Sequence, residues 1–228
     1  IGGILRLSVT HDGADVDGGS DISAVSADGR YVAFASKASN LVPGDTNDAF
    51  DVFVRDTCLN APSGCTPGTE RVSVSSTGAE GNGNSGWTPE APELSVAISG
   101  TGRHIAFVSA ATNLVTGDTN TWNDVFLRDT CRGAASGCVP QTILVSAGIG
   151  GTPSNSHSTH VAISRSGLRV AFVSLASNLV ANDTNVAIDV FVRETCGGIP
   201  GNCLPETTLA SVSDSGLQSN RDSIHPSF

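Results

Sequence analysis

The chain has no methionine, and only 5% of its 228 residues are aromatic. Charged residues reach just 15%, with 12 Lys+Arg against 22 Asp+Glu. The formal net charge of -10 disfavours nucleic acid and anionic membrane surfaces, which need a positive footprint, and favours cations. No apolar run approaches the roughly 20 residues that cross a bilayer, so no membrane insertion is expected. No window holds apolar residues at sustained helical spacing. There is no Cys-x-x-Cys-His for a c-type haem, no Gly-x-Ser-x-Gly elbow and no phosphate-cradling glycine loop before a helix. The chain opens on Ile1-Gly2-Gly3 without a basic-then-apolar leader, which reads as a mature or excised piece. What is present is 39% hydrophobic residues, enough for a core, and 26 glycines, which suit short strands and tight turns.

Internal repetition dominates the rest. Ser26 to Phe34 reads SADGRYVAF, Ser99 to Phe107 SGTGRHIAF, and Ser164 to Phe172 SRSGLRVAF. Each is followed by Asn-Leu-Val at Asn40, Asn113 and Asn178, then Asp-Thr-Asn, Asp-Val-Phe and Arg-Asp/Glu-Thr-Cys. Gly13, Gly78, Gly151 and Gly216, which mark the repeat joints, are spaced by 65, 73 and 65 residues. The extra length of the middle unit falls between Gly78 and Ser99, as a surface loop would. The segment from Leu204 to Phe228 replays Ile1 to Val25, so residues 1–228 form one repeat array of three full units and a partial one.

Each unit reads as four strands. In the middle one these are Val96-Ala97-Ile98, Arg103 to Ser109, Asp124 to Arg128 and Thr142 to Ser146, with alternating, β-branched residues. A small Ala recurs at Ala33, Ala106 and Ala171, where it would let sheets approach closely. The expected fold is all-β, a β-propeller-like array of four-stranded antiparallel blades. The Ser-x-x-Gly-x-x-x-Ala-Phe, Asp-x-Asn and Asp-Val-Phe elements resemble the WD40-like (PD40) repeats of TolB-type bacterial β-propellers over nearly the whole chain. The repeat here is longer than the usual blade of roughly 40–45 residues, and its loops carry paired cysteines. A closed ring takes roughly 4–8 blades. The array is therefore part of a longer propeller, a partner in closure by other copies, or an open stack with spare strands at Leu5–Thr10 and Ile224–Phe228.

The six cysteines form three C-x6-C pairs, Cys58/Cys65, Cys131/Cys138 and Cys196/Cys203, each between the third and fourth strands. The spacing is wide for zinc, and no second pair lies in the same unit, which favours one disulfide per unit. Disulfides persist in oxidising compartments, so a secreted, extracellular or cell-surface protein is expected, the periplasm included.

The acidic loop is the candidate metal site. Asp45, Asn47 and Asp51 have the spacing D-x-N-x3-D, repeated by Asp118, Asn120 and Asp124 and by Asp183, Asn185 and Asp189. Oxygen side chains in a tight loop suit calcium, which takes six to eight hard oxygen ligands. The same residues also suit Asx-turns that bond their own backbone. No organic cofactor is indicated. His157, His160 and His225 read as solvated loop residues, Trp87 and Trp122 as loop covers. Arg55, Arg128 and Arg193 are expected to pair with Asp56, Asp129 and Glu194 or with a neighbouring blade.

Everything distinctive recurs in every unit, whereas catalysis needs one asymmetric constellation. The expected function is therefore a non-catalytic extracellular structural or binding module: a scaffold, an adhesin or a self-assembling surface protein. Its partners would be a protein or glycan at the cell surface, or further copies joined head to tail through terminal strands. The alternative is the propeller domain of a secreted hydrolase or lyase, such as a peptidase or polysaccharide lyase.

Overall fold

The computed structural model describes residues 4–10, 12–89, 95–196 and 203–228. Among the described residues, twelve strands form three four-stranded antiparallel sheets. The first holds β1 (Ser20–Val25), β2 (Tyr31–Ser36), β3 (Asp51–Asp56) and β4 (Gly68–Arg71). The second holds β5 (Val96–Ile98), β6 (His104–Ser109), β7 (Asp124–Asp129) and β8 (Gln141–Leu144). The third holds β9 (Ser158–Ile163), β10 (Arg169–Ser174), β11 (Asp189–Glu194) and β12 (Glu206–Leu209). Strand order follows chain order in every sheet, so each unit of sequence is one meander. The helical element fully within the described residues is one 3-10 turn, Ile149–Gly151. The fold is thus all-β and propeller-like, three full sheets with a partial repeat.

Alternation along the strands gives each sheet two apolar faces. The register sets Phe34 opposite Phe53, Phe107 opposite Phe126 and Phe172 opposite Phe191, a phenylalanine pair on one face of every sheet. The other face carries Ala and Val. In the first joint Ala33, Val52, Val54 and Val72 pack on Val96, Ile98, Ile105, Phe107 and Phe126 of the second sheet. In the second joint Ala106, Val108, Val125, Leu127 and Val145 pack on Val161, Val170, Phe172 and Phe191. Both joints therefore press an Ala/Val face against a phenylalanine face, in the same direction along the chain. Ala33 and Ala106 sit inside these joints, where a larger side chain would hold the sheets apart.

Backbone bonds tie the units as well. The Ala27 amide donates to the Gly100 carbonyl (3.1 Å), and the Gly100 amide donates to Arg165 (2.9 Å). These three residues share one repeat position, in the turn between the first two strands. The side chain opening β2 or β6 lies on the turn glycine of the next unit. A Cβ on Gly102 would meet Tyr31 Cδ2 at 2.3 Å, and one on Gly167 would meet His104 Nδ1 at 2.2 Å.

The segments Leu5–Thr10 and Ile224–Phe228, expected as spare strands, are not in any ladder. A strand forms by pairing, and neither segment is paired among the described residues. The tail nevertheless keeps one local feature of the inner strand. His225 has φ 60°, matching Ile22 (43°) and His160 (46°) at the same repeat position, where β1 and β9 bulge.

Candidate functional site in the acidic loops

The three D-x-N-x3-D loops run into the starts of β3, β7 and β11, and each final Asp opens its strand. Asp51, Asp124 and Asp189 are all fully buried. Each accepts a hydroxyl proton from the segment following the fourth strand: Asp51 from Ser73, Asp124 from Ser146 (2.5 Å), Asp189 from Ser211 (2.5 Å). The middle Asn is an Asx-turn tether. Its Oδ1 accepts the amide of Ala49 (3.0 Å), Trp122 (2.8 Å) or Ala187 (3.2 Å). Its Nδ2 donates to the carbonyl of Gly81 (2.9 Å), Ser154 (3.1 Å) or Ser219 (2.9 Å). Asn47 and Asn120 also donate to the buried Asp, at 2.9 Å each.

The loops differ in how the two carboxylates are balanced. In the first unit Arg71 Nη1 lies 3.2 Å from Asp45, 3.3 Å from Asp51 and 2.9 Å from Glu80. In the second and third units Leu144 and Leu209 stand at the repeat position of Arg71, and Pro153 and Gln218 at that of Glu80. Asp118 is buried with Oδ1 lacking a hydrogen-bond partner, and Oδ2 of the buried Asp189 likewise has none. Burial, and then the Asp124 charge, push the Asp118 carboxyl up to about 6. Burial raises Asp124 as well, opposed by hydrogen bonds from Ser146, Asn120 and Ser154. Asp183 is raised by burial and by Asp189. The repeat pattern makes all nine residues equal; the structure separates one loop in which Arg71 faces three carboxylates from two that have leucine at its position, although burial raises Asp45 and Asp51 as well. The signal was present in the sequence as Arg71 against Leu144 and Leu209, but only the fold brings those positions to the carboxylates.

The cysteine loops are closed as expected. Cys58–Cys65, Cys131–Cys138 and Cys196–Cys203 are disulfides with Cα separations of 5.8, 5.8 and 5.7 Å. Asp56 and Asp129 approach two of these pairs, but bonded sulfurs offer no thiolate to a metal.

The expected pairing of Arg55, Arg128 and Arg193 with the adjacent carboxylates is corrected. Adjacent strand residues face opposite sides of a sheet, so Arg55 cannot reach Asp56. Asp56 instead takes a bidentate bond from Arg30 (2.8 and 2.7 Å), Asp129 one from Arg103 (2.7 and 2.6 Å), and Glu194 pairs with Arg169 (2.8 Å). Arg55, Arg128 and Arg193 donate across their sheets to Thr69, Thr142 and Thr207. Arg128 alone adds a bond into the neighbouring unit, to the Ser75 carbonyl (3.2 Å).

The aromatic loop residues have defined places. Trp87 stacks on Phe50 with centroids 5.1 Å apart, and Trp122 meets His157 edge-on at 4.6 Å. His157 accepts the Asn123 amide through Nδ1 (3.1 Å), so that nitrogen carries no proton. His160 and His225, one on β9 and one in the tail, meet edge-on at 5.5 Å.

The sequence matches no protein-family model and no curated protein. Among solved structures the chain is similar to a putative TolB from Agrobacterium tumefaciens, at 18% identity and a TM-score of 0.39 over 81% of this chain and 47% of that one. It is similar to the tricorn protease at 17% identity and a TM-score of 0.41, over 89% of this chain and 16% of that one. TolB from Acinetobacter baumannii gives 13% identity and a TM-score of 0.31 over 86% of this chain and 45% of that one. The chain thus spans less than half the length of each of these proteins. Among the described residues no helix is long and apolar enough to cross a membrane.

Proposed function

We propose that this chain is a non-catalytic extracellular scaffold module of the TolB-like, WD40-like repeat kind, and that its outer sheet faces bind a second copy head to tail. The observation that carries the reading is the mismatch in burial between equivalent positions. Val25 on β1 is 58% exposed, whereas its counterpart Ile98 is 9% exposed inside the first joint. Val212 is 41% exposed, whereas Val74 and Ala147 at the same repeat position are 8% and 6% exposed. On the outer face of the first sheet Phe34 and Phe53 are buried against Ala38, Leu41, Val16 and Val42, and Val25 is the apolar residue left exposed there. The uncovered face of the third is the Ala/Val one, with Val190 and Val192 only partly buried. These are the two halves of a joint that the chain already makes twice. A complementary pair of faces at opposite ends defines a heterologous contact, which closes into a ring or runs on as a filament.

The three disulfides support an oxidising compartment, and secretion is part of the proposal. Sedimentation velocity of the 228-residue chain from low to high micromolar concentration tests the assembly. A two-copy species is expected, weakened by Val25→Asp and by Val212→Asp but not by Val139→Asp, which changes an exposed residue just after the middle cysteine loop. A monomer at all concentrations refutes self-association. A monomer that binds a cell-surface protein or glycan through these faces assigns them to that partner instead.

A further inference from the structure

The unequal acidic loops carry an inference beyond assembly and independent of it. In the first unit the Arg71 guanidinium lies against the buried Asp45 and Asp51 and the more exposed Glu80. The second and third units keep the same carboxylates, the same Asn tether and the same Ser-to-Asp bond, yet place leucine where that cation stood. Burying a pair of like charges without a counter-charge is costly. Asp118 Oδ1 and Asp189 Oδ2 are buried acceptors without a donor.

We propose that the loops of the second and third units each bind a hard divalent cation of calcium's class, held by Asp118 with Asp124 and by Asp183 with Asp189, while Arg71 does the same work within the first unit. The donor set is carboxylate oxygen, the hard chemistry that calcium selects over softer metals. Asn120 and Asn185 set the loop shape and are not counted as ligands, because both ends of each amide are already bonded. Arg71 is the built-in reference: one sequence holds a covalent cation and two sites without one.

Trp122, two residues before Asp124, makes the second site readable. Terbium, a calcium surrogate, should luminesce when the chain is excited through tryptophan, and added calcium should quench that signal by displacement. Trp122→Phe should remove most of the signal, assigning it to the second unit. Asp118→Asn should abolish that part of it, and so should Leu144→Arg, which installs the first unit's cation in the second. Asp45→Asn should leave it intact. Millimolar calcium should raise the wild-type melting temperature by about 3 °C, as expected of a ligand at roughly tenfold its dissociation constant. Should Leu144→Arg not fold, Asp118→Asn alone decides, since it loses one charge and no volume. Terbium emission unchanged in Asp118→Asn, or a melting temperature indifferent to calcium, overturns the proposal.

Discussion

Replacing Asp118 by Asn should stabilise the protein in the presence of chelator, although it removes a charge from an acidic loop. Asp118 is 8% exposed, and its carboxyl stands at about 6 against an ordinary 3.8. The folded state therefore holds a proton that the unfolded chain releases. Between these values stability falls as pH rises, because the native state binds more protons than the unfolded one. At pH 7 both states are ionised, and the shift of about two units corresponds to about 3 kcal/mol of stability lost. Asn keeps the shape and an acceptor for the Asn120 amide without the charge. For a chain of this length the gain corresponds to a melting temperature raised by about 6 °C or more. The assay is thermal or urea unfolding of both proteins in EDTA from pH 4 to 8. The gap should be small at pH 4, open through pH 6 and stay level above pH 7. A variant less stable than wild type at pH 7, or a gap that does not change with pH, would refute the electrostatic reasoning.

Other consequences follow from the joints and the loops. His104 is buried on Gly167, and desolvation lowers its pKa below 6.5. Its contribution to stability is present above pH 6.5 and lost as pH falls through the folded value, opposite in slope to Asp118; His104→Phe should flatten this acid limb in urea titrations. Gly102 has φ +73° and lies under the Tyr31 ring, so Gly102→Ala should cost about 2 kcal/mol or more in unfolding free energy through backbone strain and the clash together. The matching change at Gly13 meets nothing within 4 Å and should cost only the strain. Paired Cys131→Ser and Cys138→Ser should lose about 2.5 kcal/mol, the loop-closure value for about eight residues, measured by denaturant midpoint.

Repetition made most of the fold legible in the sequence. Three in-phase copies located every sheet, because Phe34, Phe107 and Phe172 each mark a second strand whose neighbours face opposite ways. The cysteine spacing gave the disulfides for the same local reason: seven residues and a turn bring both Cα atoms within reach. Contacts between elements distant along the chain were harder to read. Arg30 and Asp56 are 26 residues apart, and only the ladder between β2 and β3 makes them neighbours, so the adjacent Arg55 was the tempting but wrong partner. The role of Arg71 was hidden likewise, since it reaches Asp45 and Asp51 from the strand edge across the sheet. The terminal segments repeat the sequence of paired strands, but sequence identity to a strand does not by itself supply a partner.

Hydrogen exchange followed by mass spectrometry, at low and high protein concentration, tests most directly whether neighbouring sheets shield one another. The middle sheet is covered on both sides, so at low concentration β6 and β7 should exchange most slowly, with β2, β3, β10 and β11 faster. Raising the concentration should slow the outer strands and leave the middle ones unchanged. Equal exchange in all three sheets at every concentration would contradict the stacked, open-ended arrangement.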